Sequence, residues 1–425
     1  MKVLWITNTI FPDVCQELGL PSPVFGGWMY SAAEALMRSS GNIELGVASL
    51  YSGKVLKCLV INEVNYFLIP RSQSYHQYDQ KLESYWKKVE DQFQPDVVHI
   101  HGTEFPHGLA YVEACGNGNV VVSIQGLVSV IERYYYGGIS EKDLQRNVTL
   151  RDWIRHDSIL EQRSKMQRRG EYEIQLIKKV HHVIGRTSWD KAHIWAINDQ
   201  AIYHTCNETL RNEFYAHSWQ KDKCEKHQIF LSQSHYPLKG VQQMIKALPM
   251  ILRHYPDTKV YVAGNNFMTS KKWWRINGFE NYIRSLAKKL GVEDKILFTG
   301  VMTEKEMCDK YLKSNVFVCP SSIENSPNSV SEAQMLGVPC VASFVGGIPD
   351  LINHDDTGLL YRFEESEMLA EAVCRILEDV NLANRLSQNG RQAAKKRHDQ
   401  QKNATDLYNI YQKISTNSNV IQKVS

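Results

Sequence analysis

Two glutamates lie eight positions apart, one on either side of a short polar loop. Glu324 and Glu332 flank the segment Asn-Ser-Pro-Asn-Ser at 325–329. Two carboxylates at this spacing can ligate a metal ion, form an acid/base pair, or accept hydrogen bonds from vicinal hydroxyls of a sugar or ribose. They can also be one helix-capping acid and one surface acid with no shared role. The predicted secondary structure around the two glutamates is needed to distinguish these interpretations.

The loop between the two acids follows an apolar run and precedes a helical pattern. NVFVCP predicts a strand, and SVSEAQML predicts a helix that ends at Gly337. Glu324 would then lie in the loop at the carboxyl end of the strand, with Glu332 inside the helix. Small polar side chains and free N–H groups at the helix start suit a diphosphate. They belong to Asn325, Ser326, Asn328 and Ser329.

Two glycine-containing turns also precede predicted helices. Gly26-Gly27 lets backbone N–H groups approach an oxyanion, although the pair does not form the G-x-G-x-x-G pattern. Lys239 precedes Gly240 and can reach phosphate oxygens as a point charge. The alternatives are an ordinary turn at Gly26-Gly27 and a solvated lysine at 239.

Short apolar, β-branched runs alternate with helical patterns in both halves of the chain. This rhythm predicts parallel α/β sheets that are covered on both faces. The predicted helices include 29–38, 241–254 and 281–290. The predicted strands are KVLWIT, IELGVAS, DVVHIH, NVVVSIQ and HHVIGRT, then HQIFLSQ, KVYVAG, KILFTG, VFVCPS and PCVAS.

The rhythm restarts after the polar segment 201–228, which predicts two Rossmann-like domains. We place them at 1–217 and 226–400, followed by a C-terminal helix and tail at 401–425. The aromatic and charged segment 131–180 is predicted to be a helical insertion in the first domain. Ligands bind at the carboxyl ends of strands in such sheets, so a cleft between the domains is the expected site.

Composition excludes several classes of protein. The chain has 425 residues with 49 Lys and Arg against 46 Asp and Glu, and this balance argues against a nucleic-acid partner. No apolar stretch approaches the 18 to 20 residues, roughly, of a membrane helix, and the first residues do not read as a signal peptide. Nine scattered cysteines without a C-x-x-C pair indicate a reduced, cytoplasmic protein without a zinc site.

Taken together, the motifs resemble the retaining glycosyltransferases of the GT-B fold, in the GT4-like family (glycosyl transferases group 1). The resemblance spans nearly the whole chain and is densest at 260–360. It implies two Rossmann-like parallel-sheet domains facing a central cleft, with the last helix crossing back to the first domain. The matching pieces are Gly26-Gly27, PDVVHIHG, Lys239-Gly240, VAG at 262–264, FTG at 298–300, the E-x7-E pair, and GGIPDLI with TGLLY.

The resemblance also implies roles for individual residues. Glu324 would bind hydroxyls of the donor sugar and face the reacting carbon, while Glu332 would hold the ribose hydroxyls. Lys239 would neutralise the charge that grows on the leaving diphosphate. Gly26-Gly27 would support the diphosphate from the other domain. Residues 325–329 would contact the sugar and phosphate, and Gly300, Val301 and Met302 would lie against the base.

The chain departs from the family pattern in two places. The arginine that commonly precedes the Lys-Gly pair is absent, and Gln233, Ser234 and His235 stand there. Gln125 stands where the family often has a histidine, and it can hydrogen-bond but cannot act as a general base. His101 is the nearest alternative base, and a packed histidine at the end of a strand is an equally open reading.

The sequence therefore predicts a glycosyltransferase that moves a sugar from a nucleoside-diphosphate donor to a hydroxyl acceptor. The resemblance implies retention of configuration and, with no D-x-D motif, catalysis without metal or cofactor. The expected acceptor is a surface glycan on a lipid carrier, and contact of 131–182 with the inner face of the membrane stays open. The alternatives are a GT-B-fold sugar-nucleotide epimerase or phosphorylase, and a non-catalytic partner protein.

Overall fold

The computed structural model describes residues 1–21, 26–39, 42–71, 74, 76–268 and 273–421. The chain forms two compact units. The N-terminal unit contains 1–130, 165–210 and the end of the chain from 398. The C-terminal unit contains 131–164 and 211–397.

Each unit is built on one sheet whose strands are almost all parallel. The N-terminal sheet has the order β3-β4-β2-β1-β5-β6-β7-β8, and the C-terminal sheet has the order β11-β10-β9-β12-β13-β14. Numbered along the chain, the strands are β1 Lys2–Thr7, β2 Glu44–Tyr51, β3 Lys57–Ile61, β4 Val64–Pro70, β5 Val97–His101, β6 Val120–Ser123, β7 His182–Gly185, β8 Ile202–Thr205, β9 Gln228–Leu231, β10 Lys259–Val262, β11 Ile296–Phe298, β12 Val316–Cys319, β13 Cys340–Ser343 and β14 Leu359–Tyr361.

Helices connect the strands, as parallel pairing requires. In chain order they are α1 Pro12–Glu17, α2 Gly27–Ser39, α3 Lys81–Phe93, α4 His107–Cys115, α5 Val128–Ile131, α6 Glu141–Arg146, α7 Leu150–Arg155, α8 Ile159–Lys179, α9 Ser188–Ile197, α10 Glu213–Ala216, α11 Val241–His254, α12 Gly278–Leu290, α13 Glu304–Leu312, α14 Asn328–Leu336, α15 Ile348–Leu351, α16 Ser366–Glu378, α17 Val380–Arg397 and α18 Gln400–Ile421.

All ten predicted strands are present, and so are the helices predicted at 29–38, 241–254 and 281–290, the helix SVSEAQML and the C-terminal helix. Strand β1 shows why the apolar runs are continuous: Leu4 and Ile6 pack in one core cluster and Val3 and Trp5 in another. A strand covered on both faces buries every side chain, so it does not alternate with polar residues. The two parallel α/β sheets that the sequence predicts are confirmed.

Four strands were not predicted: β3, β4, β8 and β14. Strands β3 and β4 form an antiparallel hairpin at the sheet edge. Its turn residues, Asn62 and Glu63, both have positive φ, 49° and 65°. Positive φ at both turn residues matches the twist of a two-residue hairpin, but such turns usually contain glycine. The pair Asn62-Glu63 therefore gave only a weak indication of a hairpin in the sequence.

The segment 131–180 differs from the expected insertion in the first domain. Residues 131–164 belong to the C-terminal unit, and only the part from Lys165 onward belongs to the N-terminal unit. Three hydrogen bonds show why: Gln242 Nε2 donates to the carbonyl of Gly137 at 2.8 Å, Ser322 Oγ to the carbonyl of Tyr134 at 3.0 Å, and Gly278 N to Asp152 Oδ2 at 2.7 Å. Local sequence patterns carry no signal for contacts over such separations.

The unit boundaries also differ slightly from the expected ones. The division after Leu210 lies ahead of the expected linker at 217–226, and the return to the N-terminal unit begins at His398 instead of 401. Helix α18 belongs to the N-terminal unit, where Tyr411 Oη accepts a hydrogen bond from Trp5 Nε1 at 2.9 Å. All nine cysteines are described and are free thiols. Within the described residues, no helix combines the length and apolar character needed to cross a bilayer.

Candidate functional site

Lys239 and Glu324 form an ion pair at the carboxyl end of the C-terminal sheet. Lys239 Nζ lies 2.7 Å from Glu324 Oε1, and Ser321 Oγ donates to the same oxygen at 2.7 Å. The two charged side chains are only 15% and 12% exposed, so water screens them little. Burial, the largest single effect, lowers the pKa of Lys239, but Glu324 together with Tyr236 and Cys319 outweighs it and holds that pKa above its ordinary value. Lys239 is therefore a permanent cation here.

The conformation and contacts of Gly240 explain why Lys239 is followed by a glycine. It has φ +75°, and a Cβ on this residue would lie 1.6 Å from the carbonyl oxygen of Pro320. The turn after β9 thus presses directly against the loop after β12, where the N–H of Ser322 donates to the carbonyl of Leu238 at 2.8 Å. This close approach brings Lys239 beside Glu324.

A second glycine turn fixes the backbone of Glu324 from the other side. Gly346 has φ +51°, and a Cβ there would lie 2.0 Å from the carbonyl oxygen of Glu324. The N–H of Gly347 donates to that carbonyl at 2.9 Å. The GGIPDLI motif therefore holds the loop that carries Glu324, between the turns after β9 and β13.

Glu332 lies in α14, is 4% exposed, and is held by an arginine that the sequence did not single out. Arg211 contacts Glu332 Oε1 with both Nε and a terminal nitrogen, each at 2.8 Å. Burial raises the pKa of the Glu332 carboxyl, and Arg211 opposes this shift. Arg211 is 121 positions away in a polar segment, so its role had no sequence signal.

We expect Arg211→Met to weaken binding of a nucleoside diphosphate about tenfold, because Glu332 loses the cation that orients it. It should also lower the free energy of unfolding by about 3 kcal/mol, since a buried carboxylate is left unpaired. Urea denaturation and nucleotide titration measure the two effects. The double variant Arg211→Met/Glu332→Met should recover most of the stability without recovering affinity. Unchanged nucleotide affinity in Arg211→Met would limit the arginine to a structural role.

Apart from Gly26-Gly27, the remaining predicted donor-binding residues also belong to the C-terminal unit. Asn325 is buried, while Ser326, Asn328 and Ser329 are half-buried at the start of α14. A small cavity is lined by Lys239, Glu324 and Ser329 together. Gly300 pairs with Gly264 through two backbone hydrogen bonds of 2.9 and 3.1 Å, and Val301 beside it is 62% exposed.

His235 packs beside this glycine pair. A Cβ on Gly264 would lie 2.9 Å from His235 Cε1, so the VAG motif leaves room for the imidazole ring. Burial and the charge of Lys239 both lower the pKa of His235. His235 is therefore a neutral imidazole next to Lys239. It stands in the segment where the family commonly has an arginine before the Lys-Gly pair.

His101, Gln125 and Gly26-Gly27 belong to the N-terminal unit. His101 ends β5 and is 4% exposed, with its ring 3.7 Å from that of His99 and 4.4 Å from that of Trp5. Burial, then His99 and Arg186, lower its pKa well below the ordinary value. These features match the packed-histidine reading, so the general-base role of His101 gains no support. Gln125 is half-buried just after β6.

Gly26 has the geometry predicted for a turn into a helix. Its φ is +86°, and α2 begins at the next residue, Gly27. A Cβ at Gly26 would approach Thr9 Oγ1 to 3.2 Å. The sequence before it, residues 22–25, lies outside the described residues. Support of a diphosphate by this glycine pair stays a prediction.

Two acidic side chains that the sequence did not single out lie beyond β5. Glu173 of α8 accepts hydrogen bonds from Thr103 Oγ1 at 2.6 Å and from Ser129 N and Oγ at 2.8 and 2.6 Å. Burial outweighs the hydrogen bonds and raises the pKa of Glu104 and of Glu173 to about 7. Both carboxyls therefore titrate near neutrality, and Glu104 follows His101 by three positions.

Comparison with known proteins shows what this chain resembles. Residues 214–393 match the family model described as Glycosyl transferases group 1. The chain is 23% identical over 413 residues to the putative glycosyltransferase YtcC of Bacillus subtilis, covering 96% of this chain and 92% of that protein. Most of the candidate site, including Lys239, Glu324 and Glu332, falls inside the matched range.

Solved structures show the same fold. Sucrose-phosphate synthase from Thermosynechococcus elongatus superposes with a TM-score of 0.71 at 16% identity, covering 97% of this chain and 99% of that chain. HepE of Anabaena, solved in complex with UDP and glucose, gives 0.66 at 15% identity, covering 97% and 100%. The two parallel-sheet units thus have the GT-B fold of glycosyltransferases. Within that class, residues 214–393 carry a glycosyl transferases group 1 domain.

Proposed function

We propose that this protein transfers a sugar from a nucleoside-diphosphate sugar to a hydroxyl acceptor, with retention of configuration and without a metal ion or cofactor. The observation that carries the proposal is the half-buried Lys239–Glu324 pair, 2.7 Å apart, beside the first residues of α14. A cation, a carboxylate and a helix N-terminus together match a diphosphate attached to a polyhydroxyl sugar. HepE, which shares the fold, was solved with UDP and glucose.

The ion pair suggests how the free site changes when the donor binds. Lys239 and Glu324 neutralise each other in the absence of ligand. A diphosphate would draw the ammonium group of Lys239 to its oxygens, and the freed Glu324 carboxylate would accept hydrogen bonds from sugar hydroxyls. Lys239 and the N–H groups that open α14 would then stabilise the charge that develops on the leaving diphosphate.

Retention is proposed to proceed by displacement on one face of the sugar. The only carboxylate that we place at the reacting carbon is Glu324, and its assigned partners are donor hydroxyls. The leaving phosphate itself would then accept the proton of the incoming hydroxyl.

The proposed acceptor is a growing surface glycan on a lipid carrier. This part of the proposal rests on the family association, since fold alone does not specify a substrate. We also propose that the protein is cytoplasmic, because its proposed donors are nucleoside-diphosphate sugars. The base and the sugar stay open, because base pockets are built largely from backbone contacts such as those near Gly300.

Nucleotide binding provides the first test. We expect one of UDP, GDP, ADP and CMP, tested in EDTA, to raise the melting temperature at saturation. A ligand at about 100 times its dissociation constant adds roughly 2.7 kcal/mol of stability. The responding nucleotide then selects the sugar donors for a transfer assay with product anomers assigned by NMR.

The outcomes separate the candidate functions. Sugar transfer in EDTA with retained anomeric configuration supports the proposal. Inversion of configuration contradicts the proposed retention, and a strict metal requirement contradicts the proposed metal independence. Release of an epimerised sugar without transfer would favour the GT-B-fold epimerase. The absence of any nucleotide effect would favour a non-catalytic partner, for which Gln125 and the missing arginine are the supporting features.

A further inference from the structure

An exposed apolar platform lies on the C-terminal unit, outside the candidate site. It consists of Val148, Leu150, Trp153, Ile154 and Trp274, which are 41%, 55%, 69%, 63% and 52% exposed. Isolated apolar side chains are normal on a protein surface, whereas a cluster with two tryptophans indicates an interaction surface. These five come from only two segments, 148–154 and 274.

Hydrogen bonds join the two segments into one rigid support. Thr149 Oγ1 donates to the carbonyl of Ile276 at 2.9 Å, and Asn281 Nδ2 donates to Asn147 Oδ1 at 3.0 Å. Asp152, 1% exposed, accepts from Gly278 N at 2.7 Å and from Thr149 N at 3.1 Å. These hydrogen bonds thus hold the platform in place, while its apolar side chains are between 41% and 69% exposed.

Basic side chains predominate among the exposed charged residues of the segments that carry the platform. In 141–157 and 274–281, the exposed basic side chains outnumber the exposed acidic ones, because Asp152 is buried and Asp157 pairs with Arg151 at 2.9 Å. The exposed basic residues are Lys142, Arg146, Arg155 and Arg275, against the exposed Glu141 and the partly exposed Asp143 and Glu280.

We propose that this platform binds the surface of an anionic lipid bilayer. Tryptophan at the headgroup level, aliphatic side chains below it and surrounding Lys and Arg are the chemistry of an interfacial membrane contact. A protein partner would fit the apolar part alone, whereas the basic rim is complementary to anionic headgroups. The inference goes beyond the proposed reaction, because the platform would hold the enzyme at a membrane surface.

Vesicle binding tests the proposal without donor, acceptor or catalysis, so its failure is distinct from failure of the proposed function. The full chain is sedimented with vesicles of phosphatidylcholine containing about one third phosphatidylglycerol, and with phosphatidylcholine alone. We expect binding to the anionic vesicles that falls about tenfold in Trp153→Ser/Trp274→Ser, because the interfacial apolar area is lost. Arg146→Glu/Arg155→Glu should weaken it by a similar factor and abolish the preference for anionic lipid.

Two matched controls complete the experiment. Trp195 is 70% exposed on α9 of the N-terminal unit, so Trp195→Ser should leave binding unchanged. Arg385→Glu on α17 makes the same type of charge change on an exposed residue away from the platform. Equal loss with the control variants, or no binding by the unchanged protein, overturns the proposal. So does a dimer in light scattering that Trp153→Ser/Trp274→Ser converts to monomer, since the occupant would then be a second copy.

Discussion

Glu324→Gln is expected to lower turnover by about 10² to 10³ and, at the same time, to tighten binding of the free nucleoside diphosphate roughly threefold. The two effects have opposite signs because Glu324 has two proposed partners. It holds the donor sugar during transfer, but in the free protein its carboxylate neutralises Lys239 at 2.7 Å. Glutamine keeps the shape and loses the charge, so Lys239 becomes available to the diphosphate.

Steady-state kinetics and nucleotide titration on the same preparation measure these effects. Lys239→Met is the complementary variant, and it should lower both turnover and nucleotide affinity because the cation itself is lost. Glu364→Gln, three residues beyond β14, is a matched control that should change neither quantity. Normal turnover in Glu324→Gln would remove the residue from the mechanism, and weaker nucleotide binding would contradict its proposed competition for Lys239.

Gly240→Ala is expected to lower the free energy of unfolding by about 3 to 5 kcal/mol. A Cβ at this position would lie 1.6 Å from the carbonyl oxygen of Pro320, so the backbone of one loop has to move. A left-handed φ of +75° adds roughly 1 to 2 kcal/mol of strain for a residue with a side chain. The same movement separates Lys239 from Glu324, so turnover should fall with stability.

The variant Gly291→Ala separates the cost of the steric clash from the cost of the left-handed backbone conformation. Gly291 has a similar φ of +64°, but no atom lies within 4 Å of a Cβ placed there. Urea denaturation should therefore show only the conformational cost of about 1 to 2 kcal/mol for this control. If Gly240→Ala costs no more than Gly291→Ala, the two loops are free to separate and their contact does not position the site.

Sequence reasoning and structure agree most closely where the signal is local. The ten predicted strands, the helix at 241–254 and the loop position of Glu324 all follow from periodicity and turn residues within a short window. The hairpin β3–β4 was not predicted, because its turn residues Asn62 and Glu63 have positive φ. An Asn-Glu pair in a sequence rarely indicates that conformation. The E-x7-E spacing likewise fixed one acid in the loop and one in the helix.

The sequence by itself determined that this is an α/β protein of two parallel sheets with a group 1 glycosyltransferase pattern. Only the tertiary structure decided which side chains meet: Lys239 with Glu324 across 85 positions, and Arg211 with Glu332 across 121. It also assigned 131–164 to the C-terminal unit and enclosed His101 between aromatic rings. The reason is physical, because apolar periodicity and turn chemistry act over a few residues, whereas ion pairs and packing join groups that the folded chain brings together.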